Sequence, residues 1–236
     1  MDGEGRLCGT LAAAVREDAL LVLALHVNAD RRGQGVGRAL LAAARAYGEA
    51  RGGRALEVLA PPDPPALSFF FRAGLSVRTL VLGMTTAASP KAPASLASVD
   101  DVGPGAPFSG WIAALDRETR GFARPRDWAR WASEGRVVSL KRGGRAAALG
   151  AWSAGASGPV LGPIAARTPE AAAELLAALV AAAPGPRLSL TLPAEARVLL
   201  LAARDLGFRA TSTRVLLADE RRGDLRRYAG GGGLLF

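Results

Sequence analysis

The residues best suited to chemistry lie between positions 31 and 38, Arg31-Arg32-Gly33-Gln34-Gly35-Val36-Gly37-Arg38. Glycines at 33, 35 and 37 let a ligand approach the main chain closely, and arginines on either side supply positive charge. Set at the start of a helix, such a segment binds phosphate. Its successive N–H groups point outward, and the positive end of the helix dipole favours an anion. The flanking residues have to position it. Ala19 to Val27 (ALLVLALHV) carries no charged residue and has the length of a buried strand. Val36 to Arg51 places Val36, Leu40, Ala44 and Tyr47 near helical spacing, and Gly52-Gly53 ends the run. Strand, glycine-rich turn and helix together predict a cradle for a phosphate-bearing cofactor.

Two familiar phosphate loops do not fit. A P-loop ends in Gly-Lys followed by Ser or Thr, whereas Arg38-Ala39 follows the glycines here. The dinucleotide fingerprint needs a further glycine where Leu40 stands, and an acidic residue after the next strand that is missing here. The pattern Arg32-x-x-Gly35-x-Gly37 instead resembles the acetyl-CoA pyrophosphate loop of the GNAT acyltransferase superfamily. Leu25-His26-Val27 is similar to that family's fourth strand, and Asn28-Ala29-Asp30 to the turn after it. A second segment extends the resemblance. Arg54 to Ala60 reads as a strand, Pro61-Pro62-Asp63-Pro64-Pro65 as a break, and Ala66 to Ala73 as a short helix ended by Gly74-Leu75. Family members carry there an Asn, an Ala three residues on, an apolar-Tyr pair and Gly-Phe. The matching residues are Asp63, Ala66, Phe69-Phe70 and Gly74-Leu75, and the resemblance covers residues 6 to 86.

That resemblance implies an N-acetyltransferase moving an acetyl group from acetyl-CoA to an amine of a small molecule or protein by direct attack on the thioester. The backbone of Leu25, His26 and Val27 would meet the pantetheine arm and the thioester oxygen. Arg32, Gly33, Gln34, Gly35, Val36, Gly37 and Arg38 would hold the pyrophosphate, and Asp63 would accept a hydrogen bond from pantetheine. Phe70 stands where the family has a tyrosine that protonates the departing thiolate, and it cannot do so.

An amine acceptor is mostly protonated near neutral pH and needs a proton acceptor within hydrogen-bond or one-water reach. His26 is the one histidine of the chain and lies beside the expected thioester position. Its side chain points to one sheet face and those of Leu25 and Val27 to the other, so it faces either the acceptor groove or the core. Glu57, a carboxylate amid apolar strand residues, is the second candidate. The alternative function is a non-catalytic CoA-binding or structural module.

Composition narrows the setting. With 236 residues, 50% of them hydrophobic, the chain suits one large or two small domains. A single cysteine, Cys8, excludes a disulfide framework, and one histidine excludes a His-based zinc centre; no metal is expected. Met-Asp-Gly-Glu-Gly has no basic stretch before an apolar core, and no apolar run reaches the roughly 20 residues of a membrane span. A cytoplasmic protein without membrane attachment is expected. The net charge of +9 comes from scattered arginines without interleaved aromatic residues, so no specific nucleic-acid partner is expected.

The second half repeats the first. Ala87 to Pro107 reads as a linker, and Trp111 to Ala132 as a helix in two pieces, the second starting at Pro125. Strand-like runs follow at 136–141, 146–153 and 159–165, then a helix from Thr168-Pro169-Glu170 to Ala183. A strand (187–192), a helix (194–206), Gly207-Phe208 and a strand (213–217) complete the order already seen at 54–82. The fold class expected is α/β (α+β), two GNAT-like domains, each a mixed, mostly antiparallel sheet flanked by helices. The boundaries are 1–86 for the domain with the acetyl-CoA loop, 87–107 for the linker, 108–219 for a degenerate second copy and 220–236 for an Arg/Gly-rich tail.

At the loop position the second copy has Gly162-Pro163-Ile164-Ala165-Ala166-Arg167-Thr168, and Ala196 and Ala203 take the places of Asp63 and Phe70. It is expected to be a structural support, a wall of the acceptor pocket or a homodimer surface rather than a second active site. The first copy is expected to be N-terminally incomplete, because few residues precede Arg32. Translation would start upstream of Met1, another subunit would cover the acceptor site, or the copy would be a remnant.

Overall fold

The computed structural model of the chain describes residues 6–86 and 98–232. In the first half, strands β1 (Gly9–Arg16) and β2 (Ala19–Val27) form an antiparallel hairpin. A single 3-10 turn (Ala29–Arg31) leads to helix α1 (Val36–Glu49), strand β3 (Ala55–Ala60), helix α2 (Pro64–Arg72) and strand β4 (Ser76–Thr86). The second half runs through β5 (Val99–Asp101), α3 (Trp111–Arg120), α4 (Pro125–Glu134), β6 (Gly135–Arg142), β7 (Arg145–Ser153) and β8 (Val160–Ala166). Then come α5 (Pro169–Ala182), β9 (Ser189–Pro193), α6 (Arg197–Asp205), β10 (Phe208–Ala218), a 3-10 turn (Leu225–Arg227) and β11 (Tyr228–Ala229). The succession β1-β2-α1-β3-α2-β4 recurs as β7-β8-α5-β9-α6-β10. The repeat is therefore structural as well as sequential.

The chain divides into two compact units. The first holds the described residues up to Arg78 together with Leu216–Arg221; the second holds Thr79–Val215 and the residues from Arg222. In the first unit β2 pairs antiparallel with β1 and parallel with β3, and the next neighbour of β3 is the end of β10. Asp219 fixes that end, since both its carboxylate oxygens accept the N–H of Leu56, at 2.9 and 3.0 Å. In the second unit β9 pairs antiparallel with β4 and parallel with β8, and β7, β6 and β5 follow antiparallel. Each half of the sequence thus places the other half's last strand next to its own third one.

Local sequence explains the helices. α1 buries Leu41, Ala44 and Gly48, a stripe at helical spacing, against β1 and β2. α5 starts where Thr168 accepts the N–H of Ala171 at 3.2 Å, has Pro169 in its first turn, and buries Leu175, Leu176, Leu179 and Val180. No helix among the described residues is long and apolar enough to cross a membrane.

Two expectations need restating. Of the expected linker 87–107, residues 87–97 lie outside the described residues, and Val99–Asp101 forms β5, paired with β6. Of the expected tail 220–236, the described residues 220–232 include Leu225, Tyr228 and Ala229, all fully buried. The apolar residues among its arginines and glycines are what seat it.

Candidate acyl-donor cleft

The site begins with an irregularity in β2. β2 pairs with β1 along its whole length, but the register shifts between Ala12 and Ala13, leaving Leu23 as an extra residue. On the other side it pairs with β3 only through Ala19–Val22. Leu23 to Val27 therefore diverge from β3, and among the described residues this edge has no strand partner. The exit from the strand is held by Asn28, whose N–H donates to the Cys8 carbonyl at 2.9 Å and whose Nδ2 donates to the Leu7 carbonyl at 2.6 Å.

The loop that follows is braced by its own side chains. Gln34 Nε2 donates to the Asp30 carbonyl at 2.9 Å, and Arg32 Nε to the Val27 carbonyl at 3.2 Å. Gly33 and Gly35 have φ of 77° and 85°, where an L side chain is strained. A Cβ on either would meet nothing within 4 Å, so the loop is open in front of both. Gly35 caps α1, and its carbonyl accepts the N–H of Ala39 at 3.0 Å. The N–H groups of the turn before Ala39 have no acceptor inside the helix and carry the positive end of its dipole.

The opposite wall is the end of β3 and α2. Asp63 caps α2 by accepting the N–H of Ala66 at 3.1 Å, and two prolines follow in the first turn. Phe70 is buried and packs edge-on to Phe69, with ring centroids 5.0 Å apart. Gly37 brings the two walls together, since a Cβ there would lie 3.3 Å from Phe69 Cε2.

Between the walls is a cleft of about 960 Å³. Leu25, His26 and Val27 line it from β2, and Arg32, Gly33, Gly35, Gly37 and Arg38 from the loop and α1. Asp63 and Phe70 line it from the far side. His26 is exposed on the divergent part of β2 and is not packed in the core. Gln34 and Val36 are not among the lining residues, because Gln34 is folded back onto the loop. Glu57 is not brought to the cleft either. It is 2% exposed, with its carboxylate 3.9 Å from the equally buried guanidinium of Arg78 on β4, which accounts for an inward strand carboxylate. Arg31, the first residue of the arginine-glycine stretch, lines the cleft as well, and sequence reasoning did not assign Phe69 and Arg72 to it. The spacing of three residues between those two on α2 was the available signal.

The second unit has the same divergence, already filled. β8 pairs with β9 only at Val160–Leu161. Beyond that point β11 lies against β8, Tyr228 opposite Ala165 and Ala229 opposite Ile164, and Gly230 donates its N–H to the Thr191 carbonyl of β9 at 2.8 Å. A Cβ on Gly162 would collide with the Gly230 carbonyl, so the fit is backbone on backbone. Ala196 and Ala203, at the places of Asp63 and Phe70, are fully buried in the core.

A divergent strand, an arginine-glycine loop and a helix N-terminus without a side-chain cap meet in one cleft of a mixed α/β unit. Residues 1–75 match the family described as Acetyltransferase (GNAT) family, and residues 112–226 the one described as Acetyltransferase (GNAT) domain. The chain belongs to the GNAT superfamily, in tandem form. Solved structures of similar fold include a putative acetyltransferase from Pyrococcus horikoshii, with a TM-score of 0.77 at 12% identity over 97% of this chain and 76% of that one. Another is a GCN5-related N-acetyltransferase from Sphaerobacter thermophilus, with a TM-score of 0.62 at 16% identity over 94% and 79%. A tandem GNAT protein from the clavulanic acid biosynthesis pathway gives 0.53 at 18% identity over 92% and 80%. No curated protein matches the sequence significantly.

Proposed function

We propose that the protein is an acetyl-CoA-dependent N-acetyltransferase acting on an amine of a small molecule or protein, and that its first unit carries the reaction. One observation carries this reading: the open edge of β2 and the arginine-glycine loop at the start of α1 share a single cleft. The residues fit the donor. Empty space before Gly33 and Gly35, together with the first-turn N–H groups of α1, suits a diphosphate. The unpaired edge of Leu23 to Val27 suits the amides of a pantetheine arm. Bound acetyl-CoA supplies an activated thioester.

Backbone donors of the β2 edge, fixed before the reaction by the hairpin with β1, are oriented to meet negative charge on a carbonyl oxygen. His26, exposed on the same edge, accepts the proton of the amine directly or through one water. Phe70 offers no O–H group, so a departing thiolate takes its proton from elsewhere; Phe69 and Phe70 contribute an apolar wall instead. Asp63 has one carboxylate oxygen committed to capping α2.

Calorimetric titration with acetyl-CoA, followed by a thiol-release assay against a panel of amines, tests the reading. One molecule of acetyl-CoA is expected per chain, because β11 fills the equivalent gap of the second unit; a second site would refute that account. Turnover with at least one amine is expected. Binding without turnover would favour the non-catalytic CoA-binding module, and absence of binding would overturn both. His26→Ala is expected to lower kcat about a hundredfold while leaving acetyl-CoA affinity and the thermal midpoint nearly unchanged. An unchanged kcat would remove His26 from the proton path.

A further inference from the structure

Charge is distributed unevenly along the cleft. Asp63, the one carboxylate among its described lining residues, stands at the start of α2, and Arg72 at the end. At 1.5 Å per residue these ends are about 13 Å apart. The contact of Gly37 with Phe69 sets the later part of α2 against the first turn of α1. Farther along, Arg45 Nη2 donates to the Ala73 carbonyl at 3.0 Å, so the two helices stay together past Arg72. Arg72 follows Phe69 by three residues and shares its helix face. It therefore lies beside the turn of α1 that carries Arg38 and Leu41, and all three line the cleft.

The four arginines of the cleft are not equivalent. Arg31 is paired with Asp30 at 3.5 Å, and Arg32 is bound to the Val27 carbonyl. Arg38 and Arg72 are exposed, and neither has a hydrogen bond or ion pair among the described residues. Arg38 stands in the first turn of α1 and is already accounted for by the diphosphate loop, which leaves Arg72, at the end of α2, as an uncommitted guanidinium group outside the loop. A donor with its pantetheine arm on β2 and its diphosphate in the loop has one anion left, the monophosphate on its ribose. We propose that Arg72 reads the 3′-phosphate of the acyl donor and makes the cleft selective for CoA over its 3′-dephospho form. The assignment rests on the acyl-donor reading above. Guanidinium and phosphate form charge-assisted, often bidentate hydrogen bonds, which suits Arg at this place better than Lys.

Calorimetric titration of the full chain with CoA and with 3′-dephospho-CoA tests it. The wild type is expected to prefer CoA by about tenfold or more. Arg72→Ala should weaken CoA binding about tenfold and leave 3′-dephospho-CoA binding where it was, so that the preference collapses; Arg72→Lys should retain part of it. The side chain is exposed, so the thermal midpoint of these variants should not move. Equal binding of the two ligands by the wild type would overturn the proposal. So would an Arg72→Ala variant that loses affinity for both alike. A wild type that binds neither would instead sink the acyl-donor reading, and this assignment with it.

Discussion

Gly35→Glu is expected to abolish measurable CoA binding, lowering affinity several hundredfold, while the protein remains folded. The backbone at Gly35 has φ of 85°, and a Cβ there meets nothing within 4 Å. The new side chain therefore finds space without displacing a neighbour, and its carboxylate stands where the helix N-terminus would receive a phosphate. Two like charges a few ångströms apart at the effective dielectric of a protein surface repel by roughly 3–4 kcal/mol, which corresponds to the stated loss. The left-handed conformation costs a non-glycine residue about 1–2 kcal/mol, so the thermal midpoint should fall by several degrees and no more. Gly35→Ala separates the two effects, since it carries the backbone strain without the charge and should retain most of the affinity. Calorimetry and a thermal melt on both variants check this. If Gly35→Glu binds CoA as the wild type does, the loop is not the diphosphate site.

The features legible in the sequence are those that local chemistry forces. Gly33 and Gly35 are glycines because their φ is positive, and a glycine pair before an apolar helix can be read without knowing the fold. Thr168-Pro169-Glu170 announced α5 by the same logic, and the cap is present as a hydrogen bond. Glu57 stood out as an inward carboxylate, but its partner Arg78 is on another strand and gives no local sign. β1 gives little signal in the sequence, because Gly9–Arg16 (GTLAAAVR) alternates small residues with one another and shows little contrast between faces. β10 begins at Phe208, several residues before the apolar stretch by which it was recognised, because main-chain pairing carries exposed polar residues into the strand. The exchange of β4 and β10 between the halves is set by pairing partners far apart in sequence, to which periodicity is blind. The short β11 is invisible for the same reason: its role comes from the gap between β8 and β9 that receives it.

The least legible feature is the charge buried under β11, and it makes the strongest stability prediction. Arg124, 1% exposed, donates Nη2 and Nε to the two oxygens of Asp116 at 2.7 and 3.1 Å, and Nη1 to the Tyr228 hydroxyl at 3.0 Å. Burial works against the guanidinium's charge, yet Asp116 and Tyr228 outweigh it and hold the group's pKa well above its ordinary value. Asp116→Ala removes the acceptor of two of those bonds and leaves the arginine in the interior. Breaking a buried pair in this way costs about 3–5 kcal/mol. Replacing both residues by apolar ones of similar volume, Asp116→Leu with Arg124→Met, should cost less than either single change, because no lone charge is left behind. The same bond network holds Tyr228, and through it the strand that fills the second unit's gap. Asp116→Ala should therefore also expose the residues after Arg221 to protease sooner than the rest of the second unit. Urea unfolding of Asp116→Ala, of the two single apolar variants and of the double variant, with limited proteolysis beside it, provides the check. Additive losses in the double variant would mean that the pair is not a coupled buried ion pair, and β11 would then be held by its main-chain bonds alone.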